Sequence, residues 1–244
     1  MYRSLPFLLM ITFPLGVMFS GCTHSGVVSR GSADQSRLPA SIKAVLLSLP
    51  NETTQVIVVT AGNKGPVSAT VYAAEKRGDA WISLFTPFDA IVGRNGFALP
   101  GEKREGDGKT PSGIFPLEEV FGYAPHVETK MAYRQARDND IWIDDPESPD
   151  YNTWTKKGQT GAASFELMRR HDDLYKYGII TGYNRDPVVK GLGSAIFFHI
   201  RKGDGRPTSG CVGLAEDDLV KIIAWLDPSL RPLTVMGNLQ REWR

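Results

Sequence analysis

Two residues of the kinds that together perform nucleophilic acyl chemistry stand twelve positions apart in the last quarter of the chain: His199 and Cys211. A thiol becomes a strong nucleophile when a neighbouring base takes its proton, and imidazole is the side chain whose ordinary pKa suits that task near neutrality. His199 follows the apolar run Ala195-Ile196-Phe197-Phe198, which reads as a buried strand over Ser194–Ile200. Cys211 comes after the turn Gly203-Asp204-Gly205, within Pro207-Thr208-Ser209-Gly210-Cys211-Val212-Gly213-Leu214. A strand, turn and second strand would bring the thiol back beside the imidazole. Gly210 lets a substrate approach the backbone, and its N–H with that of Cys211 can face a developing oxyanion. An isolated cysteine also fits a small buried core position; here the histidine, the glycine and the turn favour a nucleophile.

The only other cysteine, Cys22, has a different task. Arg3 precedes an apolar run from Leu5 to Phe19 that is too short for a membrane-spanning helix and is broken by Pro6, Pro14 and Gly16. Residues 1–21 therefore read as a signal peptide. Ser20-Gly21-Cys22 resembles a bacterial lipobox, so Cys22 is expected to carry a lipid that anchors the chain to a membrane. Thr23 beside it suggests the periplasmic side of an outer membrane. A plain secreted protein is the alternative. With Cys22 so committed, Cys211 is left as a free thiol in an oxidising compartment.

Composition narrows the partners. The 244 residues carry 28 basic and 27 acidic side chains, a net charge of +1, with 41% hydrophobic and 23% charged residues. That is globular, not disordered, and leaves no global positive field for nucleic acid. Gly108-Lys109-Thr110 looks like the end of a phosphate-binding loop, but Lys103 stands where the first glycine is needed. Gly191-Leu192-Gly193 fails as a dinucleotide fingerprint because Ile196 replaces its third glycine. His126, His171 and His199 have no partners at metal-ligand spacing. No cofactor or metal is expected, and His126 and His171 read as exposed.

The elements that must position the pair follow from periodicity. Residues 22–38 are Ser-, Gly- and charge-rich and read as a flexible tether, leaving 39–244 as the domain. Helices are expected over Ser41–Leu49, from Ser164 through Tyr175, and from Glu216 to Leu226, where Pro228 stops the last. Strands are expected over Gln55–Thr60, Val67–Glu75 and Ala80–Phe85 as an antiparallel meander, then Tyr177–Tyr183, Ser194–Ile200 and Leu233–Met236. Residues 125–161 form a long polar and aromatic excursion. The class is mainly β with peripheral helices (α+β).

The ordered set Gly93-Arg94-Asn95-Gly96, Gly106-Asp107-Gly108-Lys109-Thr110-Pro111-Ser112-Gly113-Ile114-Phe115, Gly193-Ser194-Ala195-Ile196-Phe197-Phe198-His199 and Thr208-Ser209-Gly210-Cys211-Val212 resembles the YkuD-type L,D-transpeptidases of bacterial cell walls, over roughly Gln55 to Met236. The resemblance implies a β-sandwich or partial barrel with Cys211 as nucleophile, His199 as base and peptidoglycan stem peptides as substrates. It implies cross-links between third-position residues made through a thioester. Hydrolysis by the same thiol, as in an L,D-carboxypeptidase, and a non-catalytic wall-binding lipoprotein are the alternatives. Two departures stand out. Ser209 replaces the histidine of the family's Ser-His-Gly-Cys, and Gly213 replaces the Arg or Asn common two residues after the cysteine. Arg201 and Arg206 are the candidates to compensate. Thr208, Ser209, Tyr183 and Trp142 are further substrate-binding candidates, with Trp142 a wall of the cleft contributed by the excursion.

Overall fold

The structure is a computed structural model and describes residues 38–239. The signal segment, Cys22 and nearly all of the expected tether lie outside the described residues. The first element is helix α1 (Ala40–Leu47), which starts after Pro39 and buries Ile42, Val45 and Leu46. Proline at that point has no N–H to lose and its φ already suits the start of a helix.

Eight strands close into a barrel. In chain order they are β1 (Gln55–Ala61), β2 (Ser68–Arg77), β4 (Phe88–Ile91), β5 (Gly113–Gly122), β10 (Tyr177–Thr181), β11 (Phe197–Ile200), β12 (Val212–Leu214) and β13 (Leu233–Gly237). Around the ring the order is β1, β13, β5, β10, β11, β12, β4, β2, and β2 pairs back to β1. The pairs β1/β13 and β11/β12 are parallel; the other ring pairs are antiparallel. Two short strands hang outside the ring: β3 (Ala80–Ser83) on β2 and β6 (Tyr133–Gln135) on β5. The mainly β class with peripheral helices is what the molecule shows. Of sandwich and barrel it is the barrel, fully closed.

Strands buried on both faces read as unbroken apolar runs, and β1 shows why. Ile57 and Val59 enter the barrel core, whereas Val56 and Val58 pack beneath α1 on the outside. The core is completed by helix α2 (Glu216–Trp225), which contributes Leu219, Ile222 and Ile223 and carries three acidic residues in its first turn, where the helix dipole favours them.

The excursion is not a loose loop. Its β7 (Asp140–Ile143) pairs with β8 (Trp154–Lys156) on one side and β9 (Phe165–Leu167) on the other, a separate antiparallel sheet. The helix expected from Ser164 through Tyr175 is therefore absent: β9 occupies its beginning and turns occupy the rest, with Asp173 at φ 56°. Pairing with the edge of β7 outweighs a weak helical periodicity. The small sheet packs on the outer faces of β10 and β11, where Trp142, Met168, Tyr175, Ile180 and Phe197 form a second core around Cys211. Phe197 meets Trp142 edge to face, with ring centres 4.8 Å apart. Burial of a ring such as Phe197 contributes about 2–3 kcal/mol.

Candidate active site

Cys211 and His199 sit between the barrel and the small sheet, each 7% exposed. The connection between them is not a hairpin: β11 and β12 run parallel, with His199 opposite Gly213 and Phe198 opposite Val212. Cys211 is two residues before Gly213, so alternation puts its side chain on the same outer face as His199, one pleat away. Phe198 and Val212 face the barrel core instead.

Each member of the pair is held. The Nδ1 of His199 lies 2.8 Å from the carbonyl oxygen of Ile200. A carbonyl only accepts, so Nδ1 carries the proton and Nε2 is left with its lone pair. Burial lowers the imidazole pKa to about 4, so the ring is neutral at physiological pH. The Cys211 thiol donates to the Ala195 carbonyl at 3.0 Å, and the sulfur accepts from the Phe197 N–H at 3.4 Å. Burial, with the charge of Glu166 adding to it, pushes the thiol up to about 12. The resting pair is thus neutral thiol and neutral imidazole, arranged for general-base proton transfer and not for a preformed ion pair.

The loop before Cys211 owes its shape to two hydroxyl contacts. Thr208 Oγ1 donates to the Cys211 carbonyl at 2.7 Å and accepts from the Gly210 N–H at 3.1 Å. Thr208 therefore shapes the turn, and an oxyanion using the Gly210 N–H must displace its hydroxyl. Gly210 has φ 151°, and a Cβ there would lie 2.9 Å from the Lys109 carbonyl oxygen. The glycine motifs noted upstream form the bed of this loop. The Arg94 N–H donates to the Thr208 carbonyl at 2.9 Å, and its guanidinium reaches the Gly106 carbonyl at 3.1 Å and Ser209 Oγ at 3.5 Å. Gly93 has no room for a side chain, since its Cβ would stand 2.3 Å from the Gly108 oxygen.

Two cavities meet at Cys211. One, about 190 Å³, is lined by His199, Thr208, Arg170, Arg201, Arg206 and Tyr175 among others; the second, about 50 Å³, by Lys103, Glu105, Asp144, Ser194 and Gly210. Cys211, Ser209 and Glu166 border both. Thr208, Ser209, Arg201 and Arg206 thus face the cleft, as the sequence suggests. Gly213 is where Arg201 gains its room, because a Cβ at Gly213 would lie 3.0 Å from the Cβ of Arg201.

Trp142 and Tyr183 do not wall the cleft. Trp142 is 1% exposed, packed on Phe197, with its indole N–H donated to Asn152 Oδ1 at 2.9 Å; Tyr183 stacks edge-on against Phe115 and its hydroxyl bonds the Leu192 carbonyl. Both support the segment ahead of β11. Sequence reading missed Glu166, Glu105, Arg170 and Tyr175; Asp144, one of the excursion residues that could wall the cleft, does line the smaller cavity. Glu166 was hidden in the segment read as a helix, and only its β9 placement turns it toward the cleft. Burial raises the Glu166 and Asp144 carboxyls, and the Tyr175 hydroxyl donates to Glu166. His126 and His171 are exposed and line neither cavity, although His171 directly follows Arg170, which does. Among the described residues no group of three or more His, Cys, Asp or Glu could hold a metal ion.

No curated protein matches the chain. Among solved structures, the helical cell shape determining protein Pgp2 from Campylobacter jejuni is similar at 17% identity and a TM-score of 0.39, over 81% of this chain and 54% of that one. The present chain therefore spans about half the length of that protein. The L,D-transpeptidase catalytic domain profile, YkuD, matches residues 67–235, which include nearly the whole barrel, the small sheet and both His199 and Cys211. The chain belongs to the YkuD family of L,D-transpeptidase catalytic domains.

Proposed function

We propose that this protein is a peptidoglycan L,D-transpeptidase that joins third-position residues of two stem peptides through an acyl-enzyme on Cys211. The observation that carries the reading is the pair itself: a thiol and an imidazole with a free Nε2 on one face of adjacent parallel strands, opening into one cavity. His199 Nε2 takes the thiol proton as Sγ adds to the carbonyl of the third residue. The tetrahedral oxyanion is stabilised by backbone N–H groups at Gly210 and Cys211. Collapse breaks the peptide bond, the departing amine of the terminal residue takes the proton from His199, and a thioester remains. The side-chain amine of a second stem then attacks, gives its proton to His199 and releases the thiol.

Family membership supports peptidoglycan peptides as the substrate class and a location outside the cytoplasm. Anchoring by lipid at Cys22 is part of the proposal, resting on the Ser20-Gly21-Cys22 sequence alone. The test is incubation of the purified protein with disaccharide-tetrapeptide and product analysis by mass. Cross-linked dimer with loss of the terminal residue is expected. Tripeptide monomer alone would make water the acceptor and the protein a carboxypeptidase, and equal turnover by Cys211→Ala would overturn thiol catalysis altogether.

A further inference from the structure

Segments far apart in sequence are stacked against the loop that carries Cys211. Gly93 bridges Thr208 in parallel register; the Thr208 N–H donates to the Val92 carbonyl at 3.0 Å, and its carbonyl accepts from the Arg94 N–H at 2.9 Å. The turn 106–109 joins the same stack. The Asn95 N–H donates to the Gly108 carbonyl at 3.0 Å, and the Asn95 side-chain amide donates to the Asp107 carbonyl at 2.7 Å. The Lys109 carbonyl of that turn then abuts Gly210, where a Cβ would stand 2.9 Å from its oxygen. The loop before the nucleophile is therefore bedded on residues 92–95 and on the 106–109 turn.

The Arg94 side chain ties these parts together. Gly108 has φ 67°, and a Cβ there would lie 2.7 Å from Arg94 Nε and Cζ and 2.8 Å from its Cγ, so the side chain crosses the notch that the missing Cβ leaves. From that notch one guanidinium N–H donates to the Gly106 carbonyl at 3.1 Å and another reaches Ser209 Oγ at 3.5 Å. Among the described residues Arg94 has no carboxylate partner, and it borders neither cavity at Cys211. Neither an ion pair nor a place in the cleft lining accounts for an arginine here. What it supplies is a planar fork that serves two acceptors from one site.

We propose that Arg94 is a positioning residue for acyl transfer: its side chain locks the 106–109 turn to Ser209, so that the Gly210 and Cys211 N–H groups keep the direction an oxyanion requires. The role rests on the acyl-transfer reading above and belongs to a residue that touches neither substrate nor thiol. The loop needs such support because Thr208 Oγ1 occupies the Gly210 N–H at rest. When a forming oxyanion displaces that hydroxyl, the loop loses its internal bond, and the stack around it is what then holds Gly210. A misplacement of about 1 Å at this point can cost about 100-fold in rate.

Two reactions of the same thiol separate this role from general loosening. Acylation by p-nitrophenyl acetate passes through a tetrahedral oxyanion: Sγ takes the acetyl group, p-nitrophenolate leaves, and the thiol proton passes through His199 to water. Alkylation by iodoacetamide forms an S–C bond, expels iodide, releases the thiol proton to water and needs no oxyanion. In Arg94→Ala, acylation of Cys211, followed by intact mass, should slow by about tenfold or more while alkylation changes by less than about threefold. Arg94→Lys should keep most of the acylation defect, since one ammonium does not replace the fork. Unchanged acylation, equal slowing of both reactions, full rescue by lysine, or a wild-type thiol that the ester does not acylate would each overturn the proposal. With a tetrapeptide stem, Arg94→Ala should lower kcat by a similar factor and leave KM within about twofold; a rise in KM alone would make Arg94 a substrate contact and overturn positioning. Ester acylation that depends on Arg94, with no turnover of any stem peptide, would leave the positioning role standing and count against the peptidoglycan reading.

Discussion

Asn152 holds Ala195: the Ala195 N–H donates to Asn152 Oδ1 at 3.1 Å, while the Ala195 carbonyl, one peptide unit on, receives the Cys211 thiol at 3.0 Å. Asn152 belongs to the excursion, and its Nδ2 donates to the carbonyls of Tyr183 and Asn184 at 3.2 and 2.6 Å. Ala195 is kept at φ 52°, a conformation an alanine leaves when it is free to do so. No hydrogen bond joins Cys211 to His199 among the described contacts, so the thiol must turn from Ala195 before its proton can move. The excursion therefore sets where the nucleophile rests.

Asn152→Ala should release that hold. It removes both bonds accepted by Oδ1 and both donated by Nδ2, with an expected loss of about 2–4 kcal/mol in urea unfolding. Because hydrogen bonding to the neutral thiol disfavours ionisation, the variant should alkylate at a lower pH than the wild type. An unchanged alkylation profile would mean that Ala195 does not govern the thiol.

Replacing His199 by Gln should lower acyl transfer by about 10²–10⁴-fold with little change in folding at neutral pH, as removal of a general base does. In the wild type the base is neutral above about pH 4, so kcat/KM should rise as pH increases through that value, well below the ordinary imidazole range. An acid limb near 6.5 would show that substrate or solvent restores the ring's usual affinity for protons.

The same imidazole links pH to stability. Its folded pKa, about 4, lies below the unfolded value of 6.5, so the unfolded chain binds the proton more readily between these limits. The contribution is whole above about pH 6.5 and is lost as pH falls toward 4. Thermal melts should show the wild type losing more stability than His199→Gln over that interval.

Gly210→Ala should be among the most harmful single changes near the site. The added Cβ would lie 2.9 Å from the Lys109 oxygen at a backbone angle that L-residues avoid, a cost of about 1–3 kcal/mol from strain before the clash is counted. Loss of acyl-enzyme by intact mass, with a cooperative melt retained, is the expected result. Trp142→Ala, by contrast, should act through folding, at about 3–5 kcal/mol, since its ring is core and touches no cleft.

What could be read in the sequence is what depends on residue type. A lone thiol, a histidine ending an apolar strand and a glycine before the cysteine are rare kinds in informative places, so Cys211, His199 and Gly210 stand out. The doubly buried strands were legible too, because burial of both faces leaves no polar alternation to misread. Partnership was not legible. A parallel β11/β12 pair and a hairpin predict the same local pattern, and only long-range pairing separates them. Ser164 to Tyr175 has apolar spacing close to helical, yet its first part completes a sheet with β7, so Glu166 went unnoticed. Trp142 was misplaced for a related reason: an aromatic residue in a polar stretch is equally a wall and a wedge until its neighbours are known.

Closure of the barrel matters beyond the cleft. Every strand of the ring has a partner on both sides, and the strands that end the pairing outward, β3 and β6, are only four and three residues long. A chain with a net charge of +1 has little electrostatic repulsion to keep copies apart. Whatever limits edge-to-edge pairing must then be geometric: β8 and β9, the edges of the small sheet, are three residues each as well. With so little exposed backbone margin for another chain to extend, many copies can be crowded on one surface without templating one another into aggregates.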